Sequence, residues 1–231
     1  MVTMSKILNI AHRGAKAYFP ENTLLSFRES AKMKADGIEL DVHLSADGQI
    51  VVMHDHSIDR TSSGSGLVAE MNWETLQNFR IGAGEKIPSL SEVFDLFGPE
   101  MLINVELKEK TATKAVVALI EAYVSEKSRP YSQFLVSAFD WTALKEIRKI
   151  NPEIPLGVLT ETDLELAIAF SKTIQAETIH PYFHLLNAEN VAQMQNLGFR
   201  VFAWTVNEPE DILRLKSYQV NGIITDFPDR L

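Results

Sequence analysis

The chain has 231 residues, 45% of them hydrophobic, and its 31 acidic and 22 basic residues leave a net charge of −9. That length suits a single α/β domain with a sizeable core. The acidic balance excludes the broad basic footprint that nucleic acid or an anionic membrane requires. The absence of cysteine excludes disulfides, thiolate metal sites and cysteine nucleophiles.

The opening segment, MVTMSKILNIAHRG, carries one lysine and a very short apolar stretch. It lacks the longer apolar run of a secretion signal. No stretch approaches the roughly 20 apolar residues needed to span a bilayer. A soluble cytoplasmic protein is expected, with no nucleic-acid partner and no stable membrane association. The composition leaves the oligomeric state open.

Short apolar runs over 7–11, 37–42 and 50–53 predict the first strands. Between the first two, 22–34 shows helix periodicity, with Asn22 or Thr23 as N-cap after Pro20. LSADGQ separates the second and third runs, and its Asp-Gly pair marks a turn. The third run therefore doubles back as a short extension. Residues 56–90 read as a small insertion, polar and rich in Gly and Ser at first, with one short helix near 72–79. Strands then follow over 101–105, 134–137, 156–159, 178–180, 200–203 and 222–224. Helices are expected over 113–126, 142–149, 163–170, 187–196 and 209–218, the last opening on Pro209.

Strands recurring every 20 to 25 residues with helices between them demand parallel pairing. Setting the extension aside leaves about eight strands in one domain over 1–231, which predicts a TIM-type (β/α)8 barrel. An open doubly wound sheet is the second choice. Only seven residues follow Ile224, so the last barrel helix should be missing or reduced.

Barrel enzymes keep their chemistry at the carboxyl ends of the strands, and the ionisable residues fall there. His12 and Arg13 follow the first strand. Glu39 and Asp41 close the second, two residues apart and so on one face. His54 closes the extension, Glu106 and Lys108 close the strand over 101–105, and Trp204 follows 200–203. Isolated charges near a core are costly, so their grouping points to an assembled site. Three carboxylates without cysteine favour one hard divalent cation, Mg²⁺ or Ca²⁺. His12 and His54 suit proton transfer near neutrality. Arg13 and Lys108 supply positive charge for a phosphate. His43, His56, His180 and His184 carry no assigned role.

The elements AHRG, PENT, GIELDVHLSADGQIVVMHD, NVELK, FAWTVN and GIITDFPD, in this order, resemble the glycerophosphodiester phosphodiesterase family of the bacterial, cytoplasmic type. The resemblance runs from His12 to Asp229. It implies a TIM-type barrel with a small insertion after the HD element. It also implies hydrolysis of small-molecule glycerophosphodiesters to glycerol 3-phosphate and an alcohol, either through a cyclic phosphate made by the substrate's own 2-hydroxyl or by direct attack of water. His12 and His54 match the family's acid–base pair, Glu39, Asp41 and Glu106 its metal ligands, and Arg13 and Lys108 its phosphate contacts. Glu21 and Asn22 match the PENT element, where Glu21 is expected to bind substrate and Asn22 to cap the helix. Trp204 matches a residue near the glycerol moiety. Related two-histidine barrels act on membrane lipids, but the insertion sequence RTSSGSGLVAEMNWETLQNF is mixed in character and favours soluble substrates. A non-catalytic binding protein would not need all five histidine and carboxylate groups.

Overall fold

The computed structural model describes residues 6–82 and 84–231. Residues 1–5, part of the segment read against a secretion signal, lie outside them. Strand β1 spans Leu8–His12, β2 Gly37–Leu44, β3 Ile50–Val52, β4 Leu102–Leu107, β5 Phe134–Ala138, β6 Leu156–Thr160, β7 Thr178–Pro181, β8 Arg200–Ala203 and β9 Gly222–Thr225. All but β3 pair in parallel around a ring closed by β1 between β9 and β2. This is the expected eight-stranded barrel, with helices outside.

The extension forms as the Asp-Gly turn dictates. Gly48 has φ +82°, and β3 pairs antiparallel with β2 from Val42↔Val52 to Leu44↔Ile50. β1 pairs with β2 only as far as His12↔Glu39. β3 thus takes the edge of β2 that β1 leaves, which brings the following residues to the mouth of the barrel.

Side-chain alternation builds two apolar layers. Ile38, Leu40, Val42, Ile103 and Val105 face the helices, while Ile10, Leu135, Phe202 and Ile224 fill the barrel. Each such buried side chain contributes about 1.5–3 kcal/mol. That gain offsets the cost of burying Glu39 and Asp41 at the mouth.

Helices α1 (Leu24–Lys32), α2 (Trp73–Leu76), α3 (Leu90–Leu96), α4 (Thr113–Glu126), α5 (Trp141–Ile150), α6 (Leu164–Ile174), α7 (Ala188–Asn196) and α8 (Pro209–Ser217) follow in chain order. α1 is shorter than the periodicity over 22–34 predicts. Thr23 caps it through its side chain, whereas Asn22 at φ +56° and Lys34 at φ +65° stand outside helical geometry. The cap is therefore Thr23 and not Asn22.

A second correction concerns α3. No helix is expected between the insertion over 56–90 and the strand over 101–105, yet α3 stands there as the barrel helix before β4. Its signal was legible: Ser89 and Glu92 form a reciprocal capping box. The excursion before it, which includes α2 capped by Asn72, has a small core of its own, with Met53, Ile58, Val68, Leu76 and Ile87 buried together. β9 is followed by a 3-10 turn, Pro228–Arg230, in keeping with the reduced last helix. Among the described residues no helix is long and apolar enough to cross a membrane.

Candidate active site

The loop from β1 to α1 builds one wall. Arg13 (φ +53°), Gly14 (φ +81°) and Asn22 (φ +56°) are all left-handed. Only glycine fits at position 14, because a Cβ there would run into Ser26. The strain at Arg13 is held by its backbone. Its N–H donates to Glu39 Oε2 at 3.0 Å, and its carbonyl accepts from the Ser26 hydroxyl at 3.1 Å and the Asn22 N–H at 3.0 Å. These bonds fix the Arg13 side chain over Asp41, with Nε 3.2 Å from Oδ2.

Glu39, Asp41 and Glu106 converge as their strand positions predict. One carboxylate oxygen from each lies within 4.8 Å of the others. Asp41 is 1% exposed and Glu39 3%. Asn22 Nδ2 donates to Asp41 Oδ2 at 2.9 Å, so Asn22 holds a carboxylate. Lys108 Nζ donates to Glu106 Oε1 at 2.7 Å and lies 3.5 Å from Asp41 Oδ1.

This crowding sets the electrostatics. Burial, then the charges of Asp41 and Glu106, pushes Glu39 well above the ordinary carboxylate range. Burial and Asp41 push Glu106 up to about 7. Burial would raise Asp41 too, but Arg13, Lys108 and His54 bring it below its ordinary value. Three ionised carboxylates so placed repel one another unless a cation stands between them.

The residues fit a hard divalent cation. Glu39 Oε1 and Asp41 Oδ1 are buried without a hydrogen-bond partner among the described residues. Oxygens about 2.0–2.6 Å from one ion can lie up to about 5 Å apart, which the cluster satisfies.

The two histidines share one arrangement. His12 Nδ1–H donates to Asp226 Oδ1 at 2.6 Å, and His54 Nδ1–H donates to Asp55 Oδ1 at 2.7 Å. A carboxylate can only accept, so each proton sits on Nδ1 and each Nε2 is left with its lone pair. His12 Nε2 lies 4.0 Å from Glu39 Oε2. Burial lowers both histidines below their ordinary value, partly opposed by these carboxylates. Sequence pattern assigns neither Asp226 nor Asp55 a role. The HD dipeptide was a usable signal for Asp55; Asp226 had none, because its partner is at the other end of the chain.

Asp226 is itself held, with Oδ2 accepting from Asn207 Nδ2 at 2.8 Å. Arg60 was also missed. It donates to both Asp55 and Glu21, and Glu21 in turn accepts from Arg13 Nη1 at 3.0 Å. Glu21 therefore faces two guanidinium groups.

A cavity of about 20 Å³ opens among His12, Glu39, Asn104, Glu106, Leu159 and Trp204. Trp204 presents its ring there and donates Nε1–H to the His180 carbonyl at 2.7 Å. Asn104, buried opposite Glu39 in register, leaves its Oδ1 without a partner among the described residues. His180 lies inside the barrel below the site, stacked on Phe202. Gly157 makes room for it, since a Cβ there would approach His180 Nε2 to 2.7 Å.

The chain resembles known proteins over nearly its whole length. A model of the glycerophosphoryl diester phosphodiesterase family matches residues 12–230. A glycerophosphodiester phosphodiesterase from Caldanaerobacter subterraneus is 34% identical, with 98% of this chain and 96% of that protein aligned. Among solved structures, an Oleispira antarctica phosphodiesterase in complex with the product sn-glycerol-3-phosphate superposes with TM-score 0.87 at 26% identity, covering 96% and 93% of the two chains. The Thermotoga maritima glycerophosphodiester phosphodiesterase superposes with TM-score 0.83 at 28% identity, covering 97% and 96%.

Proposed function

The chain belongs to the glycerophosphoryl diester phosphodiesterase family and is a glycerophosphodiester phosphodiesterase, and we propose that its barrel-mouth site hydrolyses water-soluble glycerophosphodiesters to glycerol 3-phosphate and an alcohol by two-histidine acid–base catalysis with one divalent cation, Mg²⁺ or Ca²⁺. The observation that carries this reading is the pairing of each histidine's Nδ1 with its own carboxylate beside the cluster of Glu39, Asp41 and Glu106. The product complex of the Oleispira protein supports the substrate class. Work in the cytoplasm belongs to the same proposal.

Glu39, Asp41 and Glu106 would hold the cation, which when bound draws charge from a phosphate oxygen. Arg13 and Lys108 add positive charge on either side of that phosphate. One histidine accepts the nucleophile's proton at Nε2. The other, protonated at Nε2, donates to the departing alcohol oxygen. Asp226 and Asp55 keep the two rings in the tautomer this exchange needs. Trp204 offers an apolar face to the glycerol carbons, and Glu21 steadies Arg13. The nucleophile is the substrate's own 2-hydroxyl, giving a cyclic phosphate that water then opens.

The test is release of glycerol 3-phosphate across choline, ethanolamine, glycerol and inositol head groups, with and without EDTA. Absence of release from every substrate in the presence of cation would overturn the reading. An analogue lacking the 2-hydroxyl tests the nucleophile: normal turnover would replace the cyclic route with direct attack by water.

A further inference from the structure

Arg60 contacts neither the carboxylate cluster nor either histidine, yet it touches the residue behind each flank of the site. Its Nε donates to Asp55 Oδ2 at 2.7 Å and Nη2 to Asp55 Oδ1 at 3.0 Å. Its other edge donates through Nη1 to Glu21 Oε2 at 3.1 Å and through Nη2 to Glu21 Oε1 at 2.7 Å. One planar group thus grips two carboxylates at once, each by two bonds.

What those carboxylates hold matters more than the bonds themselves. Asp55 fixes the His54 ring, and Glu21 fixes Arg13, which lies over Asp41. Glu21 comes from the β1–α1 loop and Asp55 from the chain leaving β3, 34 residues later by the numbering. We propose that Arg60 is a positioning residue that locks His54 and Arg13 into one geometry, so that the excursion after β3 sets the alignment of proton transfer against phosphate binding. This rests on the acid–base reading of His54 given above.

The chemistry of the group favours this over a plain surface ion pair. Isolated exposed pairs contribute little, and one carboxylate would serve to pin the excursion. A guanidinium with both edges occupied has a fixed plane, so it transmits orientation as well as charge. Glu21 is held below its ordinary value although burial opposes this, because Arg60 and Arg13 both bond it. Asp55 is likewise held low, by Arg60 first. Both carboxylates are therefore charged acceptors throughout the neutral range.

The test uses the full chain as Arg60→Met and Arg60→Lys, each assayed well below its melting temperature. Arg60→Met should lower kcat by about 10²-fold, the scale of a misplaced catalytic group. Long-range ¹H–¹⁵N spectra should show His54 losing its single Nδ1–H tautomer, a readout that does not depend on activity. Arg60→Lys should restore the melting temperature without restoring kcat, because an ammonium cannot hold two carboxylates in one plane. A kcat within threefold of the parent in either variant would overturn the proposal, and so would an unchanged His54 tautomer in both. An inactive parent enzyme would instead count against the proposed function, with the tautomer still reporting on Arg60.

Discussion

His12 Nδ1 and Asp226 Oδ1 lie 2.6 Å apart although 214 residues separate them along the chain. The contact exists because β1 and β9 are neighbours in the closed barrel, paired from Leu8↔Gly222 to Ala11↔Thr225. Closure of the sheet thus also fixes the tautomer of a proposed catalytic histidine.

Loss of either imidazole should remove one proton-transfer step. His12→Ala and His54→Ala should each lower kcat about 10²–10⁴-fold with little change in melting temperature, since neither ring lies in the apolar core. Steady-state kinetics with a parallel thermal melt checks this. Near-parental rates in either variant would remove that histidine from the mechanism.

Chelation should abolish activity, and Mg²⁺ or Ca²⁺ should restore it. A cation that binds only the folded chain also stabilises it, by about 2.7 kcal/mol at 100 times Kd. The melting temperature should therefore rise with added cation in the absence of substrate. Full activity and an unmoved melt in excess EDTA would rule out the cation site.

Asn22→Ala should weaken cation binding without touching a ligand. Asn22 donates to Asp41 Oδ2, and outer partners of this kind contribute about 10–100-fold in metal affinity. Titration calorimetry measures it, and an unchanged affinity would reduce Asn22 to a loop residue.

His180 should make stability depend on pH. Burial, then the charge of Arg200, depresses it to about 3 in the folded chain from an ordinary 6.5. Between these values the unfolded chain takes up a proton that the folded chain refuses. The stabilising contribution is complete above pH 6.5 and is lost as pH falls toward 3, a loss of about 5 kcal/mol over the whole window. Urea unfolding of His180→Asn should show a shallower acid slope than the parent. Identical slopes would exclude the effect.

Much of the candidate site is readable from local pattern. Glu39 and Asp41 share a face because a strand alternates, and the Asp-Gly turn sends β3 back so that His54 arrives beside them. What pattern could not supply were the partners of those groups. Arg60 sits in an excursion with no periodicity, and nothing local says that its guanidinium turns toward Glu21 and Asp55. Asn22 reads as a helix cap because its type favours caps. The left-handed turn that aims it at Asp41 depends on contacts with Arg13 and β2. The α3 helix is hard to read despite its Ser89–Glu92 capping box, because its seven residues are too few to show a clear helical period.

The sequence by itself determined the repeating βα order, and with it a barrel whose ionisable residues gather at one end. Alternation and turn chemistry are local, so they survive in the linear chain. Only the tertiary structure decided that Asp226 orients His12, how Arg60 joins Glu21 to Asp55, and that His180 is shut inside the barrel. Those are contacts between residues distant in sequence, fixed by ring closure and by loop backbones that nearby residues do not specify.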